Sequence, residues 1–283
     1  MKNSPDIIKI RGVTKGGSGK TRINYVVRLP DKLKKPEHIV VMSHALGFTL
    51  SMWDPLADLL AESCQVISYD LRGHGGSSPS YTPTYSISDL ANDAASLFTE
   101  LNIEKVVWIG LSLGGMVGQE LVLRKPSLVK ALVLANTTSK YSIDLKEIFL
   151  KRIVSIRDGG IVAIVESLLV NYFHMQLHAN HLATIERFRQ CIIGTNVNDY
   201  IGCCEAIASM NTTSRLAEIT APTLVIVGDL DKNTPIEMAK ILAAGISNAR
   251  LTVLQHASHI SYIDQPQAFT SAIMEFISTI KNL

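Results

Sequence analysis

The sequence predicts an α/β fold, in which a mostly parallel sheet of eight strands is flanked by helices and an α-helical cap is inserted after the sixth strand. Three observations lead to this prediction. Short apolar runs alternate with helical segments from the third run onward, which is typical of parallel strands joined by helices. The first two runs have no such helix between them, so the sheet is expected to start antiparallel. Between about residues 142 and 215 the strand pattern disappears while helical spacing continues.

The predicted elements follow the chain in a regular order. The strands are expected at residues 6–11, 23–29, 38–43, 64–70, 105–111, 129–135, 223–228 and 250–254. Short helices are expected within the inserted segment at residues 148–155, 161–172, 181–193 and 199–210. We therefore expect a core domain made of residues 1–141 and 216–283, with residues 142–215 as its helical cap.

The most informative motif lies where the fifth predicted strand ends. Ser112 is the centre of residues 110–114 (G-L-S-L-G), and a helical segment that stops before Pro126 follows it. In a G-x-S-x-G turn after a strand, the glycines permit a strained backbone that presents the serine hydroxyl. A Gly/Ser linker and a membrane-helix contact face are weaker interpretations, because the apolar run is interrupted at Gln119, short of the roughly 20 residues of a membrane span. The motif predicts a nucleophilic serine.

A nucleophilic serine needs a histidine base and an acid that orients the histidine. After a G-x-S-x-G turn these residues follow in the order acid, then histidine. Of the histidines that follow Ser112, His256 and His259 come directly after a late strand, and we favour His259 because it lies farther along the loop. Two acids follow the strand at 223–228. We favour Asp231 because the loop gives it reach, with Asp229 as the alternative.

The oxyanion of acyl transfer needs two backbone N–H donors. Leu113, directly after the serine, is expected to supply one of them. The other should come from the loop after the third predicted strand, residues 44–48 (H-A-L-G-F), where we assign Leu46. A simple connection from strand to helix is the alternative for this loop. We interpret His44 as a structural residue that is hydrogen-bonded to the loop.

These segments resemble the α/β-hydrolase fold and, within it, the 3-oxoadipate enol-lactonases of aromatic catabolism. The resemblance covers roughly residue 23 to the C-terminus. The matching segments are residues 51–55 (SMWDP), 69–75 (YDLRGHG), 110–119 (GLSLGGMVGQ), 132–137 (LVLANT), 200–204 (YIGCC), 259–261 (HIS) and 265–269 (QPQAF). The resemblance implies a triad of Ser112, Asp231 and His259, with Leu46 and Leu113 as the oxyanion donors. Ala45 departs from the pattern, because the wider superfamily usually has glycine there.

Composition and charge narrow the class of protein. Of the 283 residues, 47% are hydrophobic and 18% are charged, which suits one compact domain with an insertion. A net charge of +2 argues against nucleic-acid binding. The first six residues contain no apolar stretch, so we expect no signal peptide and no membrane association. The four cysteines, Cys64, Cys191, Cys203 and Cys204, lack C-x-x-C spacing, which predicts reduced thiols in a cytoplasmic protein.

Three segments resemble functional sites of other kinds, namely a phosphate-binding loop, a zinc site and a catalytic loop. Residues 16–21 (G-G-S-G-K-T) resemble a phosphate-binding loop, but Thr14 stands at the first glycine position and a strand follows, so we expect a polar hairpin turn. His174, His178 and His181 have helical spacing that could bind zinc, but without a nearby acid we expect a polar face of the cap. Residues 70–75 are expected to form a rigid structural loop. We therefore expect no cofactor and no metal.

The motifs and the resemblance together predict a serine hydrolase that opens a small carboxylated lactone through an acyl-enzyme. The alternatives are a general carboxylesterase, a carbon–carbon bond hydrolase, a cofactor-free perhydrolase, or a ligand receptor without turnover. An anionic substrate would need a cationic partner in the cap. The sequence does not choose among the five candidates, which are Lys151, Arg152, Arg157, Arg187 and Arg189. Nor does it decide between a monomer and a homo-oligomer.

Overall fold

One eight-stranded sheet forms the centre of the protein. The computed structural model describes residues 8–17, 21–30, 35–82, 84–176 and 181–280. The strands are β1 (Ile8–Lys15), β2 (Arg22–Leu29), β3 (Ile39–Ser43), β4 (Gln65–Tyr69), β5 (Val106–Leu111), β6 (Val129–Ala135), β7 (Thr223–Gly228) and β8 (Ala249–Leu254). Their order in the sheet is β1-β2-β4-β3-β5-β6-β7-β8. The pairs β1–β2 and β2–β4 are antiparallel and the other pairs are parallel, which confirms the predicted fold class.

Helices connect the parallel strands and pack on the sheet. They are α1 (Asp54–Leu60), α2 (Ile87–Glu100), α3 (Leu113–Arg124), α4 (Ile143–Gly159), α5 (Val162–Tyr172), α6 (Leu182–Ile193), α7 (Val197–Ser209), α8 (Ile236–Gly245), α9 (Ser261–Asp264) and α10 (Pro266–Ser278). Among the described helices, none is both long and apolar enough to cross a membrane.

Strands β5, β6 and β7 are buried on both faces of the sheet. Every residue of β5 and β7 is buried, and so is every residue of β6 except Lys130. Parallel strands covered by helices on both sides are expected to be continuously apolar, as these are. The indole N–H of Trp108 in β5 donates to the Gly114 carbonyl of α3 (3.0 Å) and ties the strand to the helix that follows it. The carboxyl ends of these strands are thereby held in fixed positions.

Two predicted elements had the wrong bounds. The first strand was expected at residues 6–11, of which residues 6 and 7 lie outside the described ones. The described strand β1 continues to Lys15 and pairs with β2 as far as Arg22. Gly12 lies within this strand, opposite Tyr25, and a larger side chain at position 12 would clash with the Tyr25 ring. The helix expected at 148–155 is the longer α4, which begins after Ser142, whose hydroxyl accepts a hydrogen bond from the Leu145 N–H, and ends before Gly160.

Helices α4–α7 lie between β6 and β7, in the segment predicted as the cap. The end of α5 is hydrogen-bonded to two loops of the core, because the Tyr172 carbonyl accepts from the Ile260 N–H (2.9 Å) and the Asn171 carbonyl from the Asn233 side chain (3.3 Å). These contacts hold the helices over the carboxyl ends of the parallel strands. The division into two domains remains a prediction.

Candidate active site

Ser112 lies in a sharp turn between β5 and α3. Its backbone has φ 53° and ψ −112°, a conformation that L-residues rarely adopt and that stores strain at functional sites. A side chain at Gly110 would clash with the Gly114 carbonyl, and one at Gly114 would clash with the Ser43 carbonyl. Both glycines are therefore required by the close approach of β5, α3 and β3. The turn directs the Ser112 hydroxyl toward the cavity under the cap.

A continuous chain of hydrogen bonds joins Ser112, His259 and Asp231. The Ser112 Oγ lies 2.9 Å from His259 Nε2, and His259 Nδ1 lies 2.9 Å from Asp231 Oδ2. All three side chains are buried. Ser112 follows β5, Asp231 follows β7 and His259 follows β8, so three strand ends supply the three residues. This order and geometry are those of a nucleophile, a base and an orienting acid.

The Asp231 carboxylate accepts hydrogen bonds from donors on several sides. Its Oδ1 accepts from the N–H groups of Asn233 (2.8 Å) and Thr234 (3.0 Å), and its Oδ2 accepts from the Thr234 hydroxyl (2.6 Å) and Asn136 Nδ2 (2.8 Å). Burial acts to raise the pKa of Asp231, but His259 and these donors outweigh it and hold the pKa below its ordinary value. The acid is therefore ionised and fixed in orientation at neutral pH.

The alternative acid and the alternative histidine lie outside the hydrogen-bonded chain. Asp229 is half-buried, and its carboxylate accepts the N–H of Ala257 (3.1 Å). His256 is exposed, in a left-handed backbone conformation with φ 57°. The hydrogen-bonded chain thus contains Asp231 and His259, as the sequence predicts, and neither of the alternatives.

The predicted oxyanion residues lie on two sides of Ser112. Leu113 is the first residue of α3, where N–H groups have no partner within the helix. Leu46 is buried and lines the same cavity as Ser112. The left-handed residue of its loop is Gly47 (φ 78°), and Ala45 has no positive φ, so the turn does not need glycine at position 45.

Two buried histidines support the loop that carries Leu46. The Leu71 N–H donates to His44 Nε2 (2.9 Å), and the Gly47 N–H donates to His74 Nε2 (3.1 Å). The opposite Nδ1 atom of each ring donates to a backbone carbonyl at 2.8 Å. Burial is the main cause that lowers the pKa of His44 to about 4 and that of His74 to about 3. Both rings are therefore neutral supports, and His44 is structural as the sequence suggested.

A cavity that is partly open to solvent lies between this edge of the sheet and the cap. The core contributes Leu46, Ser112, Lys232, Asn233 and His259, and the segment from Tyr141 into the cap contributes Tyr141, Leu145, Ile148, Phe149, Arg152, Tyr172 and Ile207. The Tyr172 ring lies 5.2 Å from the His259 ring, centroid to centroid. The cavity therefore places an apolar wall with a few polar groups opposite the hydrogen-bonded serine.

The segments that resemble a phosphate-binding loop, a zinc site and a catalytic loop can be compared with the described structure. Gly16 and Gly17 lie at the β1–β2 connection, where the Gly17 N–H donates to Asp93 (2.7 Å), while residues 18–20 lie outside the described ones. The described part of the chain has no cluster of three metal-binding side chains, and His178 is outside it. Asp70, in the loop 70–75, accepts the N–H groups of Leu50 (2.6 Å) and Gly76 (2.9 Å).

Cys203 and Cys204 are buried and free. Burial is the main cause that raises the pKa of each thiol to about 12, so thiolate chemistry is disfavoured at neutral pH. Both therefore act as small apolar side chains within the core.

Sequence reasoning missed several residues that touch the triad, and Asn136 and Tyr172 are two of them. Asn136 follows β6 in a left-handed conformation (φ 45°), and its side chain bonds to Asp231, to the Ser258 carbonyl (3.2 Å) and to the Ser261 hydroxyl. A polar residue directly after a strand was a usable signal for it. Tyr172 gave no such signal, because its position over His259 depends on how α5 packs on the core.

Known proteins share this architecture over most of the chain. The sequence model of a family described as alpha/beta hydrolase fold matches residues 38–266. The 3-oxoadipate enol-lactonase 2 of Acinetobacter baylyi is 32% identical over 234 residues, which are 83% of this chain and 86% of that protein. The crystal structure of the enol-lactonase from Burkholderia xenovorans LB400 has a TM-score of 0.88 at 29% identity, covering 94% of this chain and 100% of that one. A malate-bound thermophilic esterase from Thermogutta terrifontis has a TM-score of 0.85 at 25% identity, covering 96% and 99%. The chain therefore belongs to the α/β hydrolase fold family.

Proposed function

We propose that the protein is a serine hydrolase that opens a small carboxylated lactone, similar to 3-oxoadipate enol-lactone, in cytoplasmic aromatic catabolism. The observation that carries the hydrolase part is the chain of hydrogen bonds from the Ser112 hydroxyl through His259 to Asp231. The lactone part is supported by the similarity to 3-oxoadipate enol-lactonase 2, at 32% identity over 83% of this chain.

The first half of the reaction forms an acyl-enzyme. His259 Nε2 takes the Ser112 proton while Oγ attacks the lactone carbonyl, and Asp231 stabilises the imidazolium that results. The N–H groups of Leu46 and Leu113 donate to the oxyanion, each contributing about 3 kcal/mol of transition-state stabilisation. The ring C–O bond then breaks, and His259 returns the proton to the departing oxygen.

The second half releases the acid. A water molecule gives a proton to His259 and attacks the carbonyl of the Ser112 ester. The bond between the acyl carbon and Ser112 Oγ then breaks, His259 returns the proton to Oγ, and the released product carries a new carboxylate. In a lactone the departing oxygen stays tethered to the acyl group and can attack it again. When that oxygen is an enol, its conversion to a ketone removes the nucleophile, so an enol-lactone is opened irreversibly.

A substrate panel tests this function. Turnover of an enol-lactone acid, p-nitrophenyl acetate and a ring-cleavage diketone is measured for the wild type and for Ser112→Ala. We expect the largest kcat/KM for the enol-lactone, and loss of all turnover in Ser112→Ala. Efficient turnover of the diketone alone would replace the proposal by a carbon–carbon bond hydrolase. Ligand binding with negligible turnover in the wild type would replace it by a receptor.

A further inference from the structure

The five cationic side chains of the cap have different surroundings. Four of them lie on the surface or beside a glutamate: Lys151 with Glu147 (3.9 Å), Arg157 with Glu205 (3.9 Å), Arg189 with Glu186 (2.9 Å) and Glu166, and Arg187 exposed over the Phe188 ring (4.8 Å). Surface pairs of this kind contribute little and serve mainly solubility. Arg152 is the exception, because its side chain faces the cavity.

Arg152 projects from α4 into the wall of the cavity that Ser112 and His259 share. Its guanidinium lies 5.2 Å from the centre of the Phe149 ring, which covers one face. The Tyr172 hydroxyl and the Cys204 thiol lie beside it, and neither carries a negative charge at neutral pH. Among the described residues, no carboxylate lies within ion-pair distance of it.

The other residues that line the cavity contribute no carboxylate that could pair with Arg152. The lining residues include Lys232 as a second cation and no aspartate or glutamate. Lys232 is exposed, directly after Asp231 in the chain, so it stands at the open side of the cavity. A cleft lined by charges of one sign concentrates ligands of the opposite sign.

We propose that Arg152 binds a carboxylate of the substrate through two parallel N–H···O bonds, and that this contact selects carboxylate-bearing lactones and esters over neutral ones. The proposal rests on the proposed function, since it places that carboxylate in the cavity of Ser112. A buried or half-buried arginine is stabilised when an anion satisfies its planar donors, and a bidentate carboxylate fits that geometry. Lysine cannot reproduce the paired geometry.

The experiment compares two lactones that differ in one group. One is a five-membered lactone with a carboxymethyl substituent, and the other is the corresponding neutral carboxamide. The ratio of their kcat/KM values is measured by lactone opening in the wild type, Arg152→Gln and Arg152→Lys. Arg157→Gln is the matched control, because Arg157 lies on the same helix and outside this cavity. A ratio within one variant is unaffected by the fraction of protein that is folded.

We expect the wild type to prefer the acid, and Arg152→Gln to lower the ratio about 10- to 100-fold through a higher KM for the acid, as for a lost hydrogen bond to a charged group. Arg152→Lys should recover part of the preference, and Arg157→Gln should keep all of it. A wild type without preference, or equal ratios in the wild type and Arg152→Gln, would overturn the proposal.

A binding measurement separates this proposal from the proposed function. In the Ser112→Ala background, the carboxymethyl lactone should raise the unfolding temperature, and the added Arg152→Gln substitution should abolish that rise. If Ser112→Ala kept wild-type turnover, the serine mechanism would be wrong while the Arg152 contact could still be measured. If binding were unaffected by Arg152→Gln, the Arg152 contact would be wrong while the serine mechanism stood.

Discussion

The core edge and the cap contribute to the cavity in different ways. At the core edge, each reactive side chain follows a strand and is held by hydrogen bonds from neighbouring loops, as Asp231 is by Asn136 and Thr234. The cap contributes mostly apolar side chains, from α4, α5 and α7, and one arginine, from α4. From this difference we predict that the core sets which reaction is possible, whereas the cap sets which molecule enters. Substitutions at the core edge should change kcat for every substrate, and substitutions in the cap should change the preference for one substrate over another.

The largest expected effect comes from removing the base. His259→Ala should lower kcat about 10,000-fold or more for p-nitrophenyl acetate and for lactones alike, because the members of a triad act as a unit. His256→Ala is the matched control, since His256 is three residues away and exposed, and it should change kcat by less than about threefold. Steady-state kinetics on both substrates measures this. Comparable losses in the two variants would show that the base is wrongly assigned.

The next effect concerns the acid. Asp231→Asn should lower kcat about 1,000- to 10,000-fold, because an amide no longer holds the imidazole in the tautomer that accepts the serine proton. Asp229→Asn should cost less than about tenfold, since an amide oxygen can still accept the Ala257 N–H. Parallel measurements of kcat compare the two. If Asp229→Asn were the more damaging change, the acid would lie two residues earlier than assigned.

A smaller loss of kcat is expected when Asn136 is changed, because its side chain bonds to Asp231 and does not contact the substrate in the proposed mechanism. Removing its side chain takes one donor from the Asp231 carboxylate and one from the Ser258 carbonyl. Asn136→Ala should lower kcat about 10- to 100-fold with little change in KM, as for lost hydrogen bonds to a charged group. Asn136→Gly is the control, because glycine adopts the left-handed backbone (φ 45°) without strain. Full activity in Asn136→Gly would mean that the backbone conformation matters and the side chain does not.

The same contrast explains what the sequence could predict. Ser112 and His259 could be assigned from the sequence, because strand ends, glycine spacing and chain order can be read along the chain. The fold class and the family follow from those signals and are confirmed. The acid was less certain, because Asp229 and Asp231 differ only in how a loop folds back toward His259.

The cap could not be predicted to this depth. Helix positions were found from apolar spacing, but α4 was expected to be half its length because its first turns carry charged and exposed residues. The choice of Arg152 among five cations depends on the direction in which α4 faces the core. That direction is set by packing between elements far apart in the chain, for which no local pattern exists.

The smallest expected effect concerns stability, and it too separates the core from the cap. His44 and His74 are neutral when folded, with pKa values of about 4 and about 3, whereas an unfolded histidine has a pKa near 6.5. Below pH 6.5 the unfolded chain therefore binds more protons than the folded one. The free energy of unfolding falls as the pH drops, by about 1 kcal/mol for each histidine between pH 7 and pH 5.5.

Urea unfolding at those two pH values measures this, with His44→Gln and His74→Gln as the test variants. Glutamine can still accept an N–H bond through its side-chain oxygen but does not titrate, so each variant should lose about 1 kcal/mol of the wild-type difference between the two pH values. His181→Gln is the control, because His181 is exposed in the cap and precedes α6. The buried acids Asp70 and Asp93 have raised pKa values from burial and act in the opposite direction. Asp93 is common to all variants and cancels in the comparison, whereas Asp70 interacts with His74, so His44→Gln gives the cleaner comparison. If His181→Gln removed as much pH dependence as His74→Gln, the acid-sensitive part of the structure would include the cap, and the division between a fixed core edge and a selective cap would not extend to stability.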